Sequence, residues 1–179
     1  MNNKIAVIYK SKYGATKRYA GWIALKLNAD LYELSDIRVK DLKEYDTIIY
    51  GGPLYVGKIK GIKFIINNYE HLKNKKVKLF IVGMRNNDEV YINSILKNNI
   101  PEEILKSINA FYFRGKMYYK ELSIKDKILI ASLRSSISNK KYINITSNEK
   151  VILDIVGNPI DFTDKKAIDN IVNGLYNEV

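Results

Sequence analysis

Short apolar runs alternate along the chain with longer segments in which apolar residues recur at helical spacing. The apolar runs predict strands at 4–9, 29–34, 47–50, 77–82 and 110–113. The helical spacing predicts helices at 15–27, 59–72, 90–97 and 101–108. A short helix capped by Ser35 or Asp36 is expected to end at Leu42, and a last helix at 164–176 is expected to be capped by Thr163. Strands that alternate with helices predict a parallel sheet covered on both faces.

This order of elements predicts an α/β doubly wound sheet with five parallel strands in the order 2-1-3-4-5. Such sheets bind ligands at the carboxyl ends of their strands, near the point where the strand order reverses. Three turns are expected to meet at that edge, at 11–16, 52–57 and 83–88. We expect one domain, residues 1–179, with an insertion at about 115–161 after the fifth strand.

The insertion is strongly basic and too long for a plain crossover. Residues 114–141 contain eight Lys or Arg residues and two acids, in a chain of net charge +11. The sequence Ser123-Ile124-Lys125-Asp126 resembles a capping box, so a helix with a broad apolar face is expected over 124–137. Residues 151–156 are apolar and predict a strand or an extended segment.

Composition excludes several kinds of chemistry. The chain has no cysteine, which rules out disulfides, thiolate metal sites, iron–sulfur clusters and a cysteine nucleophile. No Ser/His/Asp set or carboxylate pair stands out, and no known module for nucleic-acid binding accompanies the basic charge. The amino terminus lacks a signal-peptide pattern and no apolar run is long enough to cross a bilayer, so a cytoplasmic protein is expected.

The first of the three turns carries the strongest chemical signal. Ser11-Lys12-Tyr13-Gly14-Ala15-Thr16 follows a buried strand and begins a helix. Such a turn directs backbone N–H groups and the positive end of the helix dipole toward one point, which suits a phosphate. Ser11 and Thr16 add hydroxyl donors, and Gly14 allows the backbone to bend. We predict a phosphate-binding turn, although an idle loop or another phosphorylated ligand also fits.

The second and third turns suit the flat ring of flavin mononucleotide (FMN). Tyr55 offers a ring that can stack on the flavin, and Arg85 is a candidate for its N1/O2 side, where charge tunes the flavin potential. Either side chain can instead be an ordinary surface residue. The residues predicted to hold the ring are Pro53, Leu54, Tyr55, Val56, Gly57, Gly83, Met84 and Arg85.

These turns resemble those of the flavodoxin superfamily, whose phosphate loop has hydroxyl residues around a Gly-x-Thr. Tyr13 departs from that pattern, which usually has threonine at this position. Within the superfamily the sequence is similar to menaquinone-dependent protoporphyrinogen oxidase and its flavodoxin-domain relatives, through Gly57-Lys58, Phe113-Arg114-Gly115 and the basic, aromatic segment 116–134. The resemblance implies a flavodoxin-like fold, FMN, two-electron oxidation of a porphyrinogen or similar donor, and a quinone acceptor.

The basic insertion has several interpretations. Its helix, with Lys125, Lys127 and Arg134 beside an apolar face, can lie on the inner face of an anionic membrane, contact a redox protein through 116–141, or pack on its own domain. The basic and aromatic residues 114–120 can instead receive the carboxylates of a porphyrin. Three functions stay open: an FMN-dependent oxidoreductase, an electron carrier without a small substrate of its own, and a non-enzymatic binding module.

Overall fold

The fold was obtained as a computed structural model that describes residues 3–140 and 142–176. Its strands are β1 (Ile5–Tyr9), β2 (Asp30–Glu33), β3 (Thr47–Tyr55), β4 (Lys58–Ile59), β5 (Lys76–Gly83), β6 (Asn109–Arg114), β7 (Lys116–Met117) and β8 (Ile160–Asp161). Five of them form a parallel sheet in the order β2-β1-β3-β5-β6, while β4 pairs antiparallel with β3. β4 is not one of the five parallel strands, so β5 and β6 are the fourth and fifth predicted strands. The predicted flavodoxin-like order 2-1-3-4-5 is therefore confirmed.

The helices cover both faces of this sheet. They are α1 (Ala15–Leu27), α2 (Lys63–Asn67), α3 (Tyr69–Leu72), α4 (Glu89–Asn99), α5 (Glu102–Leu105), α6 (Ile124–Ser138), α7 (Ser147–Asp154) and α8 (Asp169–Tyr176). Alternate residues of β1 face opposite sides, as the period of a strand requires. Ala6 and Ile8 belong to the core beneath α2–α5, whereas Val7 and Tyr9 belong to the core beneath α1 and α8.

Several predicted boundaries move in the structure. The predicted helix 101–108 shortens to α5, and the short helix before Leu42 becomes two 3₁₀ turns, at Leu34–Asp36 and Val39–Leu42. The predicted helix 59–72 is interrupted at Asn68, whose side chain donates to the Phe64 carbonyl over 2.8 Å. The last helix begins with a 3₁₀ turn capped by Asp164, because Thr163 donates its hydroxyl to Asp161 instead.

Strand β3 is longer than predicted. It continues past Tyr50 through the Gly51-Gly52-Pro53 sequence, and its parallel pairing with β5 extends to Pro53 opposite Val82. A proline lacks a backbone N–H, so it fits at the end of a ladder where that donor is no longer needed. The second predicted turn is therefore the end of β3 followed by a two-residue hairpin turn into β4.

The insertion forms a small helical unit beside the sheet edge. It contains β7, α6, α7 and β8, with β7 and β8 paired antiparallel. The interpretation of 151–156 as extended chain is wrong, because Thr146 and Glu149 form a complete capping box that begins α7. Leu122, Ile130 and Ile155 build a separate buried cluster within the insertion.

The base of the insertion is attached to α1. The Arg18 guanidinium donates to Asp161 over 2.8 Å and to the Thr163 hydroxyl over 2.7 Å. Asp161 also accepts from the Tyr118 hydroxyl over 3.1 Å. Among the described residues, no helix is both long enough and apolar enough to span a bilayer.

Candidate functional site

The three predicted turns meet around one cavity of about 540 Å³ at the carboxyl edge of the sheet. Of the residues predicted to bind FMN, those that line this cavity are Ser11, Lys12, Tyr13, Ala15, Thr16, Pro53, Leu54, Tyr55, Val56, Gly57, Gly83, Met84 and Arg85. Gly14 alone of the predicted set does not line it. The placement follows from topology, since β1, β3 and β5 are parallel neighbours whose carboxyl ends lie together.

The first turn has the geometry of an anion site. Gly14 precedes α1 with a φ of 84°, a conformation that glycine adopts without steric cost. Its N–H donates to Ser11 Oγ over 3.1 Å, which closes the turn on itself. No side chain caps the first turn of α1, so that turn keeps N–H groups available to a ligand at the positive end of the helix.

A lysine of the insertion adds positive charge to the first turn. A Cβ atom placed on Gly14 would lie 3.7 Å from Lys116 Nζ, so this ammonium group is next to the turn. Lys116 also lines the cavity, and its ammonium group lies 4.9 Å from the centre of the Tyr118 ring. In the sequence, Lys116 belongs to a general basic segment, and no local pattern connects it to the phosphate turn.

The second and third turns form the walls beside the sheet edge. Val56 and Gly57 both have positive φ, 47° and 71°, as a two-residue hairpin turn of type I′ requires. In the third turn, the Arg85 guanidinium lies 4.0 Å from the centre of the Tyr91 ring, and the Arg85 carbonyl accepts from the Tyr112 hydroxyl over 3.2 Å. Burial raises the pKa of Tyr112 to about 12, so its hydroxyl stays protonated as a donor.

A carboxylate from the insertion joins the first and second turns. Asp126 of α6 is 4% exposed and forms an ion pair with Lys12, Nζ to Oδ2 2.6 Å. It accepts hydrogen bonds from the Tyr13 hydroxyl and, over 2.7 Å, from the Tyr55 hydroxyl. The Lys12 and Lys60 ammonium groups lie 4.3 Å and 4.9 Å from the centre of the Tyr55 ring. We call Asp126, Lys12, Tyr13 and Tyr55 the Asp126 network.

The network has a clear effect on proton affinity. Burial alone raises the pKa of Asp126, but the hydrogen bonds from Lys12, Tyr13 and Tyr55 outweigh it and lower the pKa to about 2. The hydrogen bond to Asp126 raises the pKa of Tyr55. Asp126 is therefore a charged acceptor, and Tyr55 a neutral donor, at neutral pH.

The capping box at the start of α6 forms by half only. Ser123 Oγ accepts from the Asp126 N–H over 3.3 Å, as predicted. The Asp126 carboxylate does not return to the Ser123 N–H, which instead donates to the Tyr13 hydroxyl over 3.2 Å. Two features of the sequence could have identified Asp126 as a functional residue. It is an acid in a mostly basic segment, and it stands at a capping position where glutamate or glutamine is usual.

The insertion also covers the cavity with aliphatic side chains, which no local sequence pattern indicates. The side chains that line it from α6, from α7 and from the residue after α7 are Leu129, Ile130, Leu133, Val151, Ile152 and Ile155. The third turn is tied to this cover, because the Asn86 N–H donates to Asn148 Oδ1 over 2.8 Å at the start of α7. The apolar face of α6 is thus directed toward the site.

The residues present fit FMN. Free helix N–H groups and Lys116 suit a phosphate dianion. Gly83, at the end of β5, lines the cavity without a side chain, and a Cβ there would clash with the Tyr112 hydroxyl. The remaining walls are apolar or aromatic, as a flavin ring needs. The described residues contain no group of His, Asp and Glu side chains that could hold a metal ion.

These features define a flavodoxin-type redox domain, and comparison with known proteins supports this class. The family model of the flavodoxin domain matches residues 6–143, so the chain belongs to that family. Flavodoxin domains bind FMN, and FMN is the cofactor of this chain. The family assignment identifies the chain as an FMN-binding redox protein. No curated protein matches the sequence.

Three solved structures are similar to this chain at low sequence identity. A WrbA-like flavodoxin from Agrobacterium tumefaciens is 20% identical, with 69% of this chain and 87% of that chain covered and a TM-score of 0.43. The Trp repressor binding protein of Bacillus subtilis is 20% identical, with 63% and 83% covered and a TM-score of 0.47. A flavodoxin from the domain Archaea is 14% identical, with 85% and 95% covered and a TM-score of 0.42. At such identities no substrate can be transferred from them.

Proposed function

We propose that the protein is an FMN-dependent oxidoreductase of the protoporphyrinogen oxidase type, with a quinone as acceptor. The observation that carries this proposal is the cover that α6 and α7 place over the cavity. An electron carrier needs an exposed flavin edge on which a large partner can dock. A cavity that aliphatic side chains cover on one side instead suits a small reactant bound against the flavin ring.

The proposal gives each turn a task. Residues 11–16 with Lys116 bind the FMN phosphate, whereas 53–57 and 83–85 hold the ring. Bound FMN supplies the two-electron redox chemistry. In each flavin cycle the donor loses two electrons and two protons, and a quinone that accepts them becomes a quinol. The residues of the chain bind and orient the reactants.

Two cations support an anionic donor such as a porphyrinogen. Lys60 and Arg85 both line the cavity, and neither forms an ion pair with a carboxylate among residues 3–140 and 142–176. A porphyrinogen carries carboxylates at its rim and an apolar macrocycle at its centre. Cations at the cavity margin beside an aliphatic cover match that distribution of charge.

The test is an anaerobic half-reaction assay on the FMN-loaded protein. A porphyrinogen should bleach the flavin absorbance, and a short-chain naphthoquinone should restore it. Ile152→Asn in the cover should raise the KM for the quinone about tenfold with FMN still bound, because a polar group then replaces an apolar contact. Leu25→Asn on exposed α1 is the matched control. If only a protein acceptor reoxidises the flavin, the molecule is an electron carrier.

A peripheral membrane contact is proposed for the outer face of the insertion. Ile124 and Ile128 are 78% and 65% exposed, one turn apart on α6, and Lys125 between them is exposed as well. Apolar side chains flanked by lysines suit an anionic bilayer surface, where each lysine contributes about 1 kcal/mol. This face is opposite in direction to the aliphatic cover and does not compete with it.

Vesicle sedimentation tests the membrane contact. Binding to vesicles that contain phosphatidylglycerol should exceed binding to phosphatidylcholine alone, and Ile124→Ser with Lys125→Glu should abolish the excess. Lys63→Glu on exposed α2 makes the matching change of charge away from this face. Equal sedimentation of the wild type, the double variant and Lys63→Glu would refute the proposed membrane contact.

A further inference from the structure

The cover over the cavity is held to the sheet edge by few directional bonds. The inner face of α6 is aliphatic at Leu129, Ile130 and Leu133, and contacts of this kind do not select one orientation. Asp126 stands among them as the one acidic residue that lines the cavity in the described part of the chain. Its partners set where α6 lies.

The partners of Asp126 come from two different turns of the cofactor site. Lys12 and Tyr13 belong to the phosphate turn, and Tyr55 belongs to the end of β3. Every bond that the Asp126 carboxylate makes to these residues therefore crosses from the insertion to the sheet edge. A carboxylate that is 4% exposed binds its partners more strongly than one at the surface, where water and salt compete.

We propose that Asp126 is a positioning residue, which closes the insertion over the site and orients Lys12 and Tyr55 toward the cofactor. Without the carboxylate, the Lys12 ammonium loses the group that holds it 4.3 Å from the Tyr55 ring. Tyr55 then loses its hydroxyl acceptor and is free to rotate. The closure of α6 and the geometry of two cofactor turns thus depend on one side chain.

Closure can be tested on the chain without FMN. Trypsin should cleave Asp126→Ala within 120–140 about tenfold faster than the wild type, a factor that corresponds to the lower range for hydrogen bonds to a charged group. Asp126→Asn, which still accepts one hydrogen bond, should fall between the two. Asp154→Ala removes an exposed carboxylate of the same insertion and should leave the rate unchanged. Cleavage of Asp126→Ala at the wild-type rate would refute closure.

Positioning is tested on the FMN-loaded protein, and only this arm rests on the proposed function. FMN should dissociate from Asp126→Ala about tenfold faster, with a changed visible spectrum of the bound flavin, and Asp126→Asn should recover part of both. An unchanged spectrum and rate would limit Asp126 to a structural role and overturn the positioning claim. If the wild type takes up no FMN, the cofactor assignment fails, while proteolysis still decides closure.

A second variant guards against loss of folding. Tyr13→Phe combined with Tyr55→Phe removes both hydroxyl hydrogen bonds to Asp126, together with the bond that the Tyr13 hydroxyl accepts from the Ser123 N–H, and keeps both the Lys12 ion pair and the aromatic packing. It should accelerate trypsin cleavage within 120–140 in the same direction as Asp126→Ala, by a smaller factor. No acceleration in a folded double variant would show that the hydroxyl donors do not hold the cover.

Discussion

Acid should weaken the protein through Asp126, and Asp126→Asn should remove that sensitivity. The pKa of this carboxyl is lowered from 3.8 to about 2 in the folded chain. A group whose pKa is lower in the folded than in the unfolded state stabilises the fold when it is ionised. Its contribution is complete above about pH 5 and disappears as the pH falls toward the folded pKa.

The size of the effect follows from the shift. One pKa unit corresponds to about 1.4 kcal/mol, so the full contribution of Asp126 is about 2 kcal/mol. Because its side chain is only 6% exposed, solvent screening reduces this little. At pH 3 most of the unfolded carboxyl and little of the folded one is protonated, so about 1 kcal/mol is already lost.

Urea unfolding at pH 7 and pH 3, followed by the fluorescence of Trp22, measures this directly, since the chain has one tryptophan. The wild type should lose about 1 kcal/mol more unfolding free energy than Asp126→Asn between the two pH values. Asp161→Asn should show a smaller difference of the same sign, because Asp161 is 30% exposed and its pKa is also lowered to about 2. Equal losses in wild type and Asp126→Asn would refute the reasoning.

Three further substitutions probe the turns. Val56→Asn should raise the unfolding free energy by about 1 kcal/mol in urea, because a β-branched residue at a φ of 47° is strained and asparagine tolerates that conformation. Gly14→Ala should lower it by about 1 kcal/mol, since alanine at a φ of 84° is strained although space is available. Lys116→Gln should weaken FMN binding severalfold in a fluorescence titration at low salt and leave riboflavin, which lacks the phosphate, unaffected.

The sheet and the three turns were predictable because their signals are local. Helix α1 has the predicted bounds, and a buried strand followed by Gly14 and a helix specifies a β–α junction without reference to the rest of the chain. Strand β3 was predicted too short because Gly51-Gly52-Pro53 reads as a turn when pairing is unknown. Only the neighbouring strand β5 shows that the ladder continues to Pro53.

The cover and the Asp126 network could not be predicted, because they depend on long-range packing. Asp126 and Tyr13 are 113 positions apart in sequence, and no local pattern indicates that they meet. Residues 151–156 illustrate a different difficulty, since a short apolar run is compatible with a strand or a helix. There the capping box of Thr146 and Glu149 was present in the sequence and would have favoured the helix.

Two lysines of the basic insertion lie in different surroundings. Lys116 lies beside the phosphate turn and lines the cavity, whereas Lys125 is exposed on the outer face of α6 between Ile124 and Ile128. Lys141 lies outside the described residues. Because the two lysines face different surroundings, a charge that serves the cofactor and a charge that serves a lipid surface can coexist in one segment. Substituting them one at a time therefore tests the two roles independently, and a loss of both functions from either single substitution would contradict this separation.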